Sequence, residues 1–65
     1  MATLERADKI AYRIVDGEIV VGMVLQMANG SWRAFDDKET PVSKRGFATP
    51  RKVLAWWNEN ARVKQ

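Results

Sequence analysis

Apolar and polar positions alternate through the first half of the chain and change period in the second. Ile10 to Val15 and Glu18 to Met27 are rich in β-branched and aliphatic residues, with Asp16-Gly17 between them. Asp-Gly suits a two-residue type I′ hairpin, whose central residues both need positive φ. Asn29-Gly30 repeats the device ahead of Ser31 to Asp36. The pattern predicts an antiparallel meander with strands near 10–15, 18–28 and 31–36. Directly opposed residues share a face, so counting outward from the two turns assigns every side chain. Ile10, Tyr12, Ile14, Ile19, Val21, Met23, Leu25, Met27, Trp32 and Ala34 are expected on an inner face. Ala11, Arg13, Val15, Glu18, Val20, Gly22, Val24, Gln26, Arg33 and Phe35 are expected outside.

Beyond Asp36 the alternation stops. Asp36 to Thr40 is polar and reads as a loop closed by Pro41. Val42 to Phe47 fits a short fourth strand near 42–46, and Lys44-Arg45-Gly46 fits an exposed turn equally well. Thr49-Pro50 is a helix start, since Thr can cap free backbone N–H groups and Pro at the first helical position loses no needed donor. Pro50, Val53, Leu54, Trp57 and Ala61 then recur at helical spacing, which predicts a helix near 50–61 laid on the inner face of the sheet. Trp56 falls at the edge of that stripe, as a boundary core residue or a partner contact. Residues 1–8 lack an apolar period and read as a flexible arm, and residues 62–65 as a frayed tail. The expected fold is α+β: one domain over residues 1–65, with a three- to four-stranded sheet packed on one C-terminal helix.

Composition narrows the chemistry. A 65-residue chain buries only about 60% of its unfolded surface, so three Trp, two Phe and one Tyr must supply much of the core. With neither Cys nor His, the usual transition-metal ligands, thiol nucleophiles and neutral-pH general bases are all missing. An enzyme, a cofactor, a metal and a small-molecule substrate are therefore not expected. Asp36-Asp37-Lys38-Glu39 lacks the alternate spacing and Gly of a calcium loop. The scattered charges of the first nine residues argue against a signal peptide, and no run approaches a membrane span, so a cytoplasmic protein is expected. The net charge is +3; residues 1–35 carry four basic and four acidic side chains, and residues 36–65 carry seven and four.

The run Gly30 to Phe35 (G-S-W-R-A-F) in a strand and the run Phe47 to Trp57 (F-A-T-P-R-K-V-L-A-W-W) opening a helix resemble the N-terminal arm-binding domains of phage-type tyrosine integrases. In that family the outer sheet face lies in the DNA major groove and the helix buttresses it from behind. The resemblance implies duplex DNA as the partner, with Arg13, Gln26 and Arg33 toward bases and Lys44, Arg45, Arg51 and Lys52 toward phosphates. Arg can pair with guanine and Gln with adenine through two hydrogen bonds. It implies a small accessory or regulatory DNA-binding protein of phage or mobile-element type. The outer face departs from the family's pattern in carrying Val20, Val24 and Phe35 where Arg, Lys, Thr or Tyr is usual. An apolar centre with a mixed-charge rim is the anatomy of a protein interface. The rival expectation is therefore a protein–protein interaction module, a homodimer or an adaptor or inhibitor of a host protein, that binds through Val20, Val24, Phe35 and Trp56.

Overall fold

The computed structural model describes residues 2–43 and 45–63, the side chains of residues 61–63 excepted. Four strands, β1 (Thr3–Asp8), β2 (Ala11–Asp16), β3 (Ile19–Gln26) and β4 (Trp32–Asp36), form an antiparallel sheet in the order β1-β2-β3-β4, followed by α1 (Pro50–Val63). Small α+β architecture is thus as the sequence predicts, but the sheet is built differently in three places.

The first is the N-terminus, where the segment read as an arm is a strand. Leu4 lies opposite Ile14 and Arg6 opposite Tyr12, so β1 completes the free edge of β2. Its anchor is distant in sequence: the Asn58 side chain of α1 accepts from Ala2 N at 2.9 Å and donates to Ala2 O at 3.2 Å.

The second is the β2–β3 hairpin. Its loop is Gly17-Glu18, one residue later than counted, with Asp16 opposite Ile19. Gly17 has φ 67° and Glu18 is not left-handed, the pattern of a type II′ turn rather than type I′. That shift alone moves the pairing by two residues and leaves the faces unchanged. A bulge then intervenes: Val15 pairs with Val20 but Ile14 pairs with Gly22, leaving Val21 as the extra residue. One extra residue inverts everything beyond it. Gly22, Val24 and Gln26 therefore turn to the inner face, and Met23 and Leu25 turn out.

The third is the β3–β4 loop, which holds three residues. Met27 N donates to Ser31 O at 2.7 Å, Gly30 N donates to Met27 O at 2.9 Å, and only Gly30 is left-handed, at φ 87°. This is a type I turn closed by a glycine bulge. It offsets the first inversion, so Trp32 and Ala34 face inward and Arg33 and Phe35 outward, as counted. Ile10 and Ile19, expected inside, stand 53% and 69% exposed at turns.

Residues 40–43 and 45–47, on either side of Lys44, which lies outside the described residues, do not make a regular fourth strand at 42–46. They strap the edge of β4 through Asp36 N to Thr40 O at 2.9 Å, Val42 N to Ala34 O at 2.9 Å and a reciprocal Trp32–Phe47 pair at 2.8 and 2.7 Å. The Ser43 hydroxyl accepts from Ala34 N at 3.0 Å, replacing a ladder bond. Thr49 Oγ1 accepts from Lys52 N at 3.2 Å and caps α1 as expected. α1 continues through Arg62 and Val63, where fraying was expected; residues 64–65 lie outside the described residues, as does the side chain of Ala61.

Between helix and sheet, Ile14, Val24, Ala34 and Val53 are fully buried, joined by Ala2 and ringed by Leu4, Tyr12, Val21, Trp32, Phe47, Leu54, Trp56 and Trp57. Gly22 is the slot for Trp57: a Cβ there would stand 2.7 Å from the ring's Cη2 and 2.6 Å from Phe35 O. Trp56 packs beside the Phe47 ring, centroids 6.1 Å apart, and belongs to the core margin.

Candidate functional surfaces

Two surfaces stand apart from this core. One is the outer face of the sheet, on the side away from α1. Val15 and Val20 pair across the β2–β3 hairpin, and Met23 lies between Arg13 and Phe35. Leu25 lies between Ala11 and Arg33. None of Val15, Val20, Met23, Leu25 and Phe35 contributes to the core cluster, and α1 does not cover them. Val20 is 45% exposed and the other four are partly buried. The result is a continuous apolar strip across the middle strands.

Both arginines of this face have a partner within the chain, Arg13 in a solvent-exposed ion pair and Arg33 in a part-buried bond. Arg13 Nη1 donates to Glu5 Oε1 at 3.0 Å, and Arg33 Nη2 donates to Ser43 O at 2.7 Å while its Nε is buried with no hydrogen-bond partner. Gln26, expected beside them, is on the helix side of the sheet, where its amide donates to Gly30 O at 3.2 Å. The three side chains assigned to base reading are thus not on one face. Val24, assigned to a protein interface, is fully buried opposite Ala34 and cannot touch a partner. Trp56 is likewise turned toward the core, while Val20 and Phe35 do lie on the outer face. Met23 and Leu25 were missed; the signal that could have found them is Gly22, since an isolated Gly inside a strand run marks a bulge or a close backbone approach.

The second surface is electrostatic. Strands β1 and β3 run one way, β2, β4 and α1 the other, so the chain's turns fall into two groups. At the end where α1 starts lie Arg6, Lys9, Arg33, Arg45, Arg51 and Lys52, six cations against Asp8 alone. At the opposite end lie Asp16, Glu18, Asp36, Asp37, Glu39 and Glu59, six carboxylates against Lys38 among described side chains. Glu5 and Arg13 cancel between them. Among the described side chains the two ends therefore carry about five charges each of opposite sign, which sum to zero, and the net charge of +3 lies in Lys44, Arg62 and Lys64, outside the described side chains. The ends are separated by about six residues of strand or roughly 20 Å. That is about twice the Debye length at physiological salt, so neither end neutralises the other.

The cationic end also carries aromatic rings. Arg6 lies over Tyr12, 5.9 Å from its centroid, Tyr12 meets Trp32 edge-on at 5.6 Å, and Arg45 lies over Phe47 at 5.4 Å. Of the four residues assigned to phosphate contact, Arg45, Arg51 and Lys52 are exposed at this end, joined by Arg6 and Lys9, and Lys44 lies outside the described residues. The first turn of α1 has no acidic residue. Cations there oppose the helix dipole, which favours negative charge at an N-terminus, so the arrangement lowers stability slightly and leaves a strongly positive end.

Among the described residues no three carboxylates converge as a metal site, and no helix is long and apolar enough to cross a membrane. No protein-family model, curated protein or solved structure matches the chain.

Proposed function

We propose that the chain is a protein-interaction module whose outer sheet face receives its partner. The observation that carries this reading is the turn of Met23 and Leu25 onto the face that already bears Val15, Val20 and Phe35, with α1 on the other side. An apolar strip rimmed by Glu5, Arg13 and Arg33 has the composition of an interface core and its polar margin. Arg33, bonded to Ser43 O with its Nε buried, suits a rim better than a base reader, because an arginine must be free to present two donors to guanine.

The experiment is site-specific photo-crosslinking in cells that make the protein. A photoreactive phenylalanine analogue in place of Leu25 is expected to give a discrete light-dependent adduct, and the same group in place of exposed Ala55 on α1 is expected to give none. Equal adducts at both positions, or none at either, would overturn the reading.

A second reading rests on the cationic end. Duplex DNA would meet Arg45, Arg51 and Lys52, with Arg6 and Lys9 beside them, through backbone phosphates rather than base edges. The segregation of charge supports it, as does the likeness to integrase arm-binding domains, and an accessory role on mobile DNA would fit. Affinity of that kind falls steeply with salt as counterions are released.

A further inference from the structure

We propose that the occupant of the outer face is a second copy of the chain, packed face to face with its strands antiparallel to those of the first. The proposal rests on the interface reading above and adds the identity and orientation of the partner, which the distribution of charge supplies. Two sheets stacked on their apolar faces pack about 10 Å apart with strand directions within about 30°. At that separation the ends of the two sheets lie side by side.

Two two-fold arrangements are open to such a pair. If the axis runs along the strands, the two cationic ends meet and the two acidic ends meet. If the axis runs across the strands, the cationic end of each copy meets the acidic end of the other. The second arrangement brings the Asp16–Glu18 hairpin of one copy toward the Lys9 turn of the other, twice over by symmetry, and it closes with no face left open. Opposite potentials favour this register and reject the parallel one.

The size is adequate for a reversible dimer. Four strands about 4.8 Å apart and about six residues at 3.4 Å give a face of roughly 19 by 20 Å, about 400 Å² in projection. Two such faces reach the lower range of specific interfaces once the relief of the side chains is counted. Association is therefore expected to depend on concentration.

Analytical ultracentrifugation from about 10 µM to about 1 mM covers the dissociation constants such an interface allows. The wild-type chain is expected to pass from monomer to dimer, and both Leu25→Glu and Val20→Lys are expected to remain monomeric while keeping the wild-type circular dichroism. Glu18→Lys is expected to weaken the dimer about tenfold, and the double change Lys9→Glu with Glu18→Lys to restore it. A dimer that survives both Leu25→Glu and Val20→Lys lies on another surface and overturns the proposal. A dimer that loses nothing on Glu18→Lys, or is not rescued by the double change, overturns the antiparallel pairing. A monomer at every concentration, with a photo-adduct from Leu25 to a different protein, removes the second copy and leaves the interface reading standing. A monomer with no adduct from Leu25 removes both.

Discussion

Gly22 shows how one residue ties the two faces of the sheet together. Its missing side chain admits the Trp57 ring, and its backbone follows the bulge at Val21 that decides which face every later residue of β3 occupies. Gly22→Ala places a methyl group against both an aromatic ring and the Phe35 carbonyl, where the backbone cannot yield easily. The expected cost is about 1–3 kcal/mol from overpacking, measured as a lower urea midpoint at unchanged slope. A neutral or stabilising effect would mean that Trp57 does not rest on this position. An isolated Gly inside a strand run signals a bulge or a close approach, and Gly22 carries that signal without saying which side chain fills the slot.

At the scale of elements, the signals that were legible are the local ones. Thr49-Pro50 starts α1, Asp-Gly and Asn-Gly mark both hairpins, and the stripe through Val53, Leu54 and Trp57 finds the face of the helix that packs. Each depends on residues a few positions apart. What was not legible depends on pairing over distance. β1 has one large apolar residue, Leu4, and so no period, yet it is a strand because β2 offers a free edge and Asn58 grips Ala2 across 56 residues. The outer face was misassigned on β3 for a related reason, since turn residues fix a loop's place but not the presence of a bulge. Asn58→Ala removes two hydrogen bonds to Ala2 and is expected to cost about 1–2 kcal/mol. Hydrogen exchange should show the loss chiefly in residues 3–8, whose amides would open while those of β3 stay protected. Uniform loss of protection across the sheet would contradict a dedicated clamp on β1.

Seen whole, the molecule has a small core on one side of a sheet, an apolar strip on the other, and opposite charge at its two ends. A domain of this size has little stability in reserve, so leaving five apolar side chains outside the core is a poor use of them unless a partner covers the strip. The polarity of charge, hidden in a balanced first half and a basic second half, emerges only when antiparallel strands bring Lys9 to the same end as Arg45, and Glu18 to the same end as Asp36. Everything said of the outer face depends on β3 turning Val24 inward and Leu25 outward. Urea denaturation of Val24→Asp beside Leu25→Asp tests this most directly. A carboxylate in place of fully buried Val24 would have no partner, and that chain is expected to be largely unfolded in the absence of urea, a loss of several kcal/mol. Leu25→Asp is expected to stay folded and lose no more than about 1–2 kcal/mol, since its side chain is only partly buried, on the face away from the core. The reverse order, with Leu25→Asp unfolded and Val24→Asp stable, would restore the simple two-residue turns and leave the proposed interface without its centre.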